Sequence, residues 1–143
     1  MFAVFNDSDF PKIYVTLNNI DNDDDFENFC NQWESYDNLK QNYTFIFNTN
    51  NVGYIPIKYA FKTSSFIASL KQKKLSNNVY LDKSIIVCNN SKIRYLLELI
   101  FFLQSPVANV YIVNSSEKAE KLYNNLKLSK DFYDSTVSVF FSN

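Results

Sequence analysis

The stretch that most constrains the fold runs from residue 43 to residue 59 and reads YTFIFNTNNVGYIPIKY. Aromatic and β-branched residues, which favour a strand, give way to a polar segment at Asn48, and the chain then crosses its only glycine, Gly53. A helical pattern begins at Pro56, because proline is favoured at the first position of a helix. A strand that feeds a helix through a short polar loop is where α/β proteins usually place their chemistry. This loop, however, carries no evident catalytic group.

The amino-acid content argues against several classes of enzyme. The chain of 143 residues contains no histidine, which removes His-based nucleophile pairs and the commonest metal ligand. One glycine cannot supply a Walker A loop or a GxGxxG turn. The carboxylates considered for acid–base chemistry are scattered over predicted loops and helix surfaces, namely Asp82, Glu98, Asp131 and Asp134. We therefore predict a protein that is not an enzyme, with no cofactor and no metal site.

Charge and cysteine content bear on partners and location. Fourteen Lys and Arg residues against 15 Asp and Glu leave almost no net charge, which argues against a nucleic-acid partner. Cys30 and Cys88 lie far apart at predicted buried positions, as is typical of reduced thiols in an intracellular protein. No segment reaches the ~18 apolar residues of a membrane span, and MFAVF is too short for a signal peptide. We expect an intracellular, cytoplasmic protein. The 20 asparagines are typical of an AT-rich genome and point to a virion-associated or protist assembly.

Periodic patterns predict strands that alternate with helices. Strands are predicted at residues 12–17, 43–47, 84–88 and 109–113, with weaker ones at 1–5 and 136–141, and helices from about residue 22, at 56–74, at 91–104 and over 114–126. This order predicts one α/β domain over residues 1–143, with a single, mainly parallel sheet of roughly four to six strands and about four crossover helices. Its core covers residues 12–128, and residues 129–143 form a C-terminal extension or a last strand.

The second and third predicted helices carry more apolar surface than one core-facing stripe needs. The predicted inner face of the second helix consists of Ile57, Ala60, Phe61, Ser64, Ile67 and Ala68. Tyr59 and Phe66 lie off that face, and Tyr95, Leu99 and Phe102 lie off the inward stripe of the third helix. Either the two helices pack side by side and bury these residues, or the residues form an exposed patch for a partner, for self-association or for an acyl chain.

Two segments resemble a known family. FIFNTNNVGYIPIKYAFKTSSFIASL resembles the strand–loop–helix at the centre of STAS domains, the anti-sigma-factor-antagonist fold. SIIVCNNSKIRYLLELIFFLQSPVANVYIVNSSEKAEKLYNNL resembles the second half of that fold, and it is also similar to the closing half of CRAL-TRIO (Sec14-like) lipid-binding domains. The resemblance covers about residues 12–128 and rests on element order and hydrophobic pattern.

The departures from the STAS pattern decide what the resemblance implies. STAS domains that act as phosphorylation switches place an Asp-Ser or Ser-Ser pair at the start of the central helix, where a phosphoryl group would meet the helix N-terminus. The corresponding residues here are Pro56, Ile57 and Lys58, and the usual strand-end aspartate is Asn48. The resemblance therefore implies a non-enzymatic STAS-like protein-interaction module, a structural or adaptor component of a larger assembly.

The predicted interaction surface joins the loop before the second helix to the outer ridges of the second and third helices. It consists of Gly53, Tyr54, Ile55, Tyr59, Phe66, Tyr95, Leu99 and Phe102. The partner is expected to be another protein or a second copy of the chain. The alternative is a small CRAL-TRIO-like domain that holds a lipid or another hydrophobic ligand between the sheet and these two helices.

Overall fold

The computed structural model describes residues 1–76, 79–124 and 137–142. The elements of these residues are, in chain order, β1 (Ala3–Asn6), β2 (Lys12–Leu17), α1 (Asp23–Asp37), β3 (Tyr43–Asn48), α2 (Lys58–Ser76), β4 (Leu81–Val87), α3 (Ser91–Leu103), β5 (Val110–Val113), α4 (Ser116–Asn124) and β6 (Ser138–Phe140). The α/β class and the alternation of strands and helices predicted from the sequence are confirmed. Leu126, Asp131, Asp134 and Thr136, which entered the predictions above, lie outside the described residues.

The strands form one six-stranded sheet whose spatial order is the order of the chain, β1-β2-β3-β4-β5-β6. The central strands β2 to β5 are parallel, whereas β1 and β6 run antiparallel to their neighbours at the two edges. The sheet is therefore mostly parallel and mixed. Right-handed crossovers that all advance in one direction leave their helices on one face. Accordingly, α1, α2 and α3 cover one face, and α4 covers the other with its own apolar cluster.

Helix α1 begins and packs as its sequence predicts. The side chain of Asn22 caps it by accepting a hydrogen bond from the Asp25 backbone N–H at 3.0 Å, and acidic residues fill the first turn. Its buried face consists of Phe26, Phe29, Trp33 and Tyr36. Trp33 stands edge-on to Phe45 of β3, with ring centroids 5.2 Å apart. Such contacts between α1 and the sheet give the aromatic-rich core that the Phe and Tyr content predicts.

The predicted start and inner face of α2 are partly wrong. The α-helix begins at Lys58, because Pro56 and Ile57 belong to a lead-in turn in which Tyr59 N–H donates to Pro56 O at 3.0 Å. Ile57 and Phe61, predicted to face the core, are exposed. The buried arc of α2 is instead rotated toward Tyr59 because α2 lies between α1 and α3 and must cover a flank of each.

The second half of the chain follows the predicted order with small corrections. Helix α3 ends at Leu103, three residues before Pro106. Helix α4 begins at Ser116, two residues after its predicted start, and Ser115 caps it, since the Ser115 Oγ accepts from Lys118 N–H at 3.1 Å. Strand β6 pairs with β5, which settles the last strand as part of this sheet. Both cysteines are free thiols, with Cys88 buried as predicted and Cys30 only partly buried.

Candidate functional site

The loop between β3 and α2 is held by asparagine side chains from neighbouring loops. Asn19 Oδ1 accepts hydrogen bonds from the backbone N–H groups of Gly53 at 2.9 Å and Tyr54 at 3.4 Å. The Thr49 hydroxyl donates to the carbonyl of Val87 at the end of β4, at 2.8 Å. The loop is thus fixed by structural hydrogen bonds, and it presents an exposed Tyr54 ring at its surface.

The outer surfaces of α2 and α3 expose large apolar side chains beside one another. Phe102 is 85% exposed, Tyr95 72%, Ile57 61% and Phe61 52%. Leu99, half-buried, lies between Tyr95 and Phe102 because residues three and four apart share one side of a helix. We refer to Ile57, Phe61, Tyr95, Leu99 and Phe102 as the apolar ridge. Exposed apolar patches on soluble proteins often mark interaction sites, and several large exposed side chains on two neighbouring helices make the ridge the leading candidate for one.

The two helices of the ridge are neighbours. The Ser64 hydroxyl of α2 lies 3.4 Å from the carbonyl oxygen of Ile100 in α3, in addition to its own bond to Ala60 O at 2.9 Å. On the 100° helical wheel, Phe61 lies on the Ser64 side of α2, and Leu99 lies on the side of α3 that faces α2. Phe61 and Leu99 therefore lie toward the line along which the two helices meet.

Of the predicted surface residues, the structure exposes some and buries others. Gly53, Tyr54, Tyr95 and Phe102 are exposed, and Ile55, Phe66 and Leu99 are half-buried. Tyr59 is only 4% exposed. Its ring packs on Phe26 at 5.6 Å, and Phe66 packs on Trp33 at 5.4 Å, so both side chains join α2 to α1. Neither alternative holds for the whole set, because Tyr59 and Phe66 are covered by α1 rather than by α3, whereas Tyr95 and Phe102 are exposed.

Sequence reasoning placed Ile57 and Phe61 in the core and so left them out of the surface. The aromatic face of α1 could have distinguished the two flanks of α2, because aromatic residues of α2 are expected to pack on it. Tyr59 and Phe66 supply these partners because they lie seven residues, or two helical turns, apart on one side of α2. When that flank packs on α1, Phe61 lies on the opposite, α3-facing side of α2 and is exposed.

The charges at the border of the ridge have a net positive sign. Lys58 Nζ lies 3.3 Å from Asp23 Oδ1, and Arg94 Nε lies 3.3 Å from Glu98 Oε1, so these charges are matched within the chain. The pKa of Asp23 is lowered, first by the hydrogen bond from the Tyr59 hydroxyl at 2.8 Å and then by Lys58. Lys92 is exposed and forms no ion pair within the described ranges, whereas the charge of the exposed Lys62 also helps to lower the pKa of Asp23.

A polar cluster lies on the opposite face of the sheet, next to α4. Lys12 Nζ lies 3.0 Å from Glu120 Oε2, the Tyr14 hydroxyl donates to the other oxygen of Glu120, and Lys12 also lies 5.0 Å from the ring centroid of Tyr123. Burial alone would raise the pKa of Glu120, but the hydrogen bonds from Tyr14 and Lys12 outweigh it and lower that pKa. Hydrogen bonds with Tyr14 and Glu120 in turn raise the pKa of Lys12. These charge-assisted bonds fasten α4 to β2, and sequence reasoning missed them.

A cavity of about 120 Å³ lies between the sheet and helices α1 to α3. Its walls are almost wholly apolar, and its hydroxyl-bearing side chains include those of Thr49, Thr63 and Ser84. This is the region where the alternative CRAL-TRIO-like prediction would place its ligand. The volume is well below the roughly 300 Å³ at which pockets for drug-sized ligands begin.

Neither metal sites, nor membrane spans, nor similar proteins assign a function to the chain. Across the described ranges, no group of three or more Cys, Asp or Glu side chains is placed to hold a metal ion. Within the same residues, no helix combines the length and apolarity needed to cross a membrane. No family model, curated protein or solved structure matches the chain.

Proposed function

We propose that the chain is a non-enzymatic STAS-like interaction module that binds a protein partner through the apolar ridge. The observation that carries the proposal is the exposure of Ile57 in the turn before α2, of Phe61 on α2, and of Tyr95 and Phe102 on the neighbouring α3. Large aromatic side chains are enriched at the centres of protein interfaces, where a few of them contribute most of the binding energy. The STAS-like part of the proposal is supported by the alternation of strands and helices and by the strand–loop–helix of β3 and α2.

The charge around the ridge defines the chemistry of the partner. Lys92 lies three residues before Tyr95 on the exposed surface of α3 and has no ion-pair partner among the described residues, so a complementary surface carries a carboxylate beside an apolar strip. An amphipathic helix with acidic flanks has this pattern, and we propose that such a helix binds along the apolar ridge. We propose that the protein acts inside the cell, as a structural or adaptor component of a larger viral or protist assembly.

Selection from a displayed library of random peptides tests this chemistry directly. The enriched peptides should carry apolar residues at three- and four-residue spacing with Asp or Glu beside them. Phe102→Ser should weaken their binding at least about tenfold, the effect of losing one interface anchor. Leu39→Ser is the matched control, because Leu39 is also exposed but lies in the loop between α1 and β3. Enriched peptides without acidic residues, or equal binding to Phe102→Ser, would contradict the proposal.

Self-association is the competing use of the same ridge. Sedimentation velocity should show a monomer for both the wild type and the Tyr95→Ser/Phe102→Ser variant. A wild-type dimer that this double substitution dissociates would assign the ridge to a second copy of the chain. The heterologous partner proposed above would then be wrong.

A hydrophobic ligand is the second candidate function, and the cavity between the sheet and α1 to α3 favours it. With about 120 Å³, the cavity is too small for a long acyl chain. Native mass spectrometry of the purified protein separates the candidates, since a copurifying lipid would favour the CRAL-TRIO-like alternative over the interaction module.

A further inference from the structure

A small polar residue interrupts an otherwise apolar row across the centre of the sheet. In the register of the four parallel strands, Ile13 pairs with Phe45, Phe45 with Ser84, and Ser84 with Val110. This row faces α1 to α3, and Ser84 and Val110 line the cavity. A serine side chain is much smaller than the aliphatic and aromatic residues beside it, so Ser84 leaves part of this space unfilled.

The hydroxyl of Ser84 is buried but has no protein partner. The residue is 3% exposed, and its Oγ forms no hydrogen bond with any described residue. Among the described residues, Trp33 Nε1 is the only fully enclosed side-chain nitrogen or oxygen without a hydrogen-bond partner. Ser84 Oγ is therefore not fully enclosed by protein atoms, and the remaining accessible surface opens on the cavity that the residue lines. Native proteins rarely leave a buried hydroxyl in this state.

The other hydroxyls that line the cavity show how this site differs. Thr49 Oγ1 donates to Val87 O at 2.8 Å, and Thr63 Oγ1 donates to Tyr59 O at 2.6 Å. The hydroxyl group of Ser84 therefore remains available to donate a hydrogen bond to a molecule inside the cavity. A buried water usually needs two to four polar partners. The walls are almost wholly apolar, and the Thr49 and Thr63 hydroxyls on them already donate to backbone carbonyls. The surroundings suit a molecule with an apolar body and one hydrogen-bonding group.

We propose that this cavity binds a small, largely apolar molecule, about the size of benzene, whose single polar group hydrogen-bonds with Ser84 Oγ. A cavity of about 150 Å³ lined by apolar side chains stays dry and accepts benzene, which sets the size of the ligand for a cavity of this order. The ligand belongs to the class of small phenols, alcohols and carbonyl compounds. The site does not depend on the apolar ridge, and its occupant lies beneath the helices that carry that ridge.

Titration of the ¹⁵N-labelled protein with phenol and with benzene, followed by NMR, tests the proposal. Both probes should give saturable shifts at the amides of β4 and α3. Phenol should bind the wild type about fivefold more tightly than Ser84→Ala, the effect of one neutral hydrogen bond, whereas benzene should bind both proteins alike. Ser84→Val fills the cavity and should weaken both probes at least about tenfold.

Thr44→Val is the matched control. Thr44 is also buried in a central strand, but it precedes Phe45 and so faces the α4 side of the sheet. Its substitution should leave the affinity for both probes unchanged. If Ser84→Val does not fold, the comparison between the wild type and Ser84→Ala still decides. Absence of saturable binding to the wild type, equal phenol affinity in Ser84→Ala, or a long-lived water at Ser84 that phenol does not displace would overturn the proposal.

Discussion

Phe101 and Phe102 are consecutive residues of α3, and the ring of the first is packed whereas the ring of the second is exposed. Phe101 packs on Phe140 of β6 with ring centroids 5.0 Å apart, whereas Phe102 is 85% exposed. Full burial of a Phe side chain contributes about 1.5–3 kcal/mol, so the small buried part of Phe102 contributes about 0.2–0.5 kcal/mol. Phe101→Ala loses most of the burial term and an aromatic pair of about 0.5–1.5 kcal/mol, for a total of about 2–3 kcal/mol.

Urea unfolding of Phe101→Ala, Phe102→Ala and the wild type measures how much free energy of unfolding each substitution removes. Both substitutions lie in one helix and change its helix propensity in the same way. Similar m-values for the three proteins would show that the free energies of unfolding are comparable. We expect the midpoint of Phe102→Ala to lie close to that of the wild type and that of Phe101→Ala to lie well below it. A loss above about 1.5 kcal/mol for Phe102→Ala in the monomer would refute the conclusion that the apolar ridge is free for a partner.

Further substitutions test the polar contacts and the loop. Glu120→Gln should lower the free energy of unfolding by about 1 kcal/mol at neutral pH, a value discounted for the partly exposed carboxylate. Because the pKa of Glu120 is lowered in the folded state, this difference should exist above the usual value of 4.5 and disappear as the pH falls through the folded value; an equal difference in acid would contradict it. Gly53→Ala should stabilise by roughly 0.4–1 kcal/mol in thermal unfolding, since Gly53 has no positive φ and a Cβ would meet only Asn19 Oδ1 at 3.9 Å; a clear loss of stability would argue against this. Burial, with Glu34 and Glu27 nearby, raises the pKa of the Cys30 thiol to about 12, so iodoacetamide at pH 8 should modify Cys30 far faster after unfolding than before it, as mass spectrometry would record.

Local sequence signals were enough to predict the elements. The alternation in KIYVTL gives β2 its bounds, and Asn22 followed by acidic residues gives the start of α1, because both signals act within a few residues. The sequence predicts Asn114 as the cap of α4, which is wrong, because Ser115 is an equally acceptable cap residue and the backbone geometry selects it. The sequential order of the six strands is a tertiary property that no local pattern carries.

The candidate surface was predicted only in part, because it depends on how helices pack. Tyr95 and Phe102 were identified as an outer ridge from the helical wheel of α3, and both are exposed. Tyr59 and Phe61 were assigned to the wrong sides of α2, since an apolar residue on either flank gives the same periodic signal. No local sequence pattern predicts the Ser84 cavity, because it depends on the register of four strands.

The central claim is that the apolar ridge is the surface that meets the partner. NMR chemical-shift mapping with an enriched acidic, amphipathic peptide tests it most directly. We expect the largest shifts at Phe61, Tyr95, Leu99 and Phe102, with little change in α4. Binding should weaken at high salt because Lys62 and Lys92 are exposed. Largest shifts at α4 or along β1, with the ridge unchanged, would contradict it.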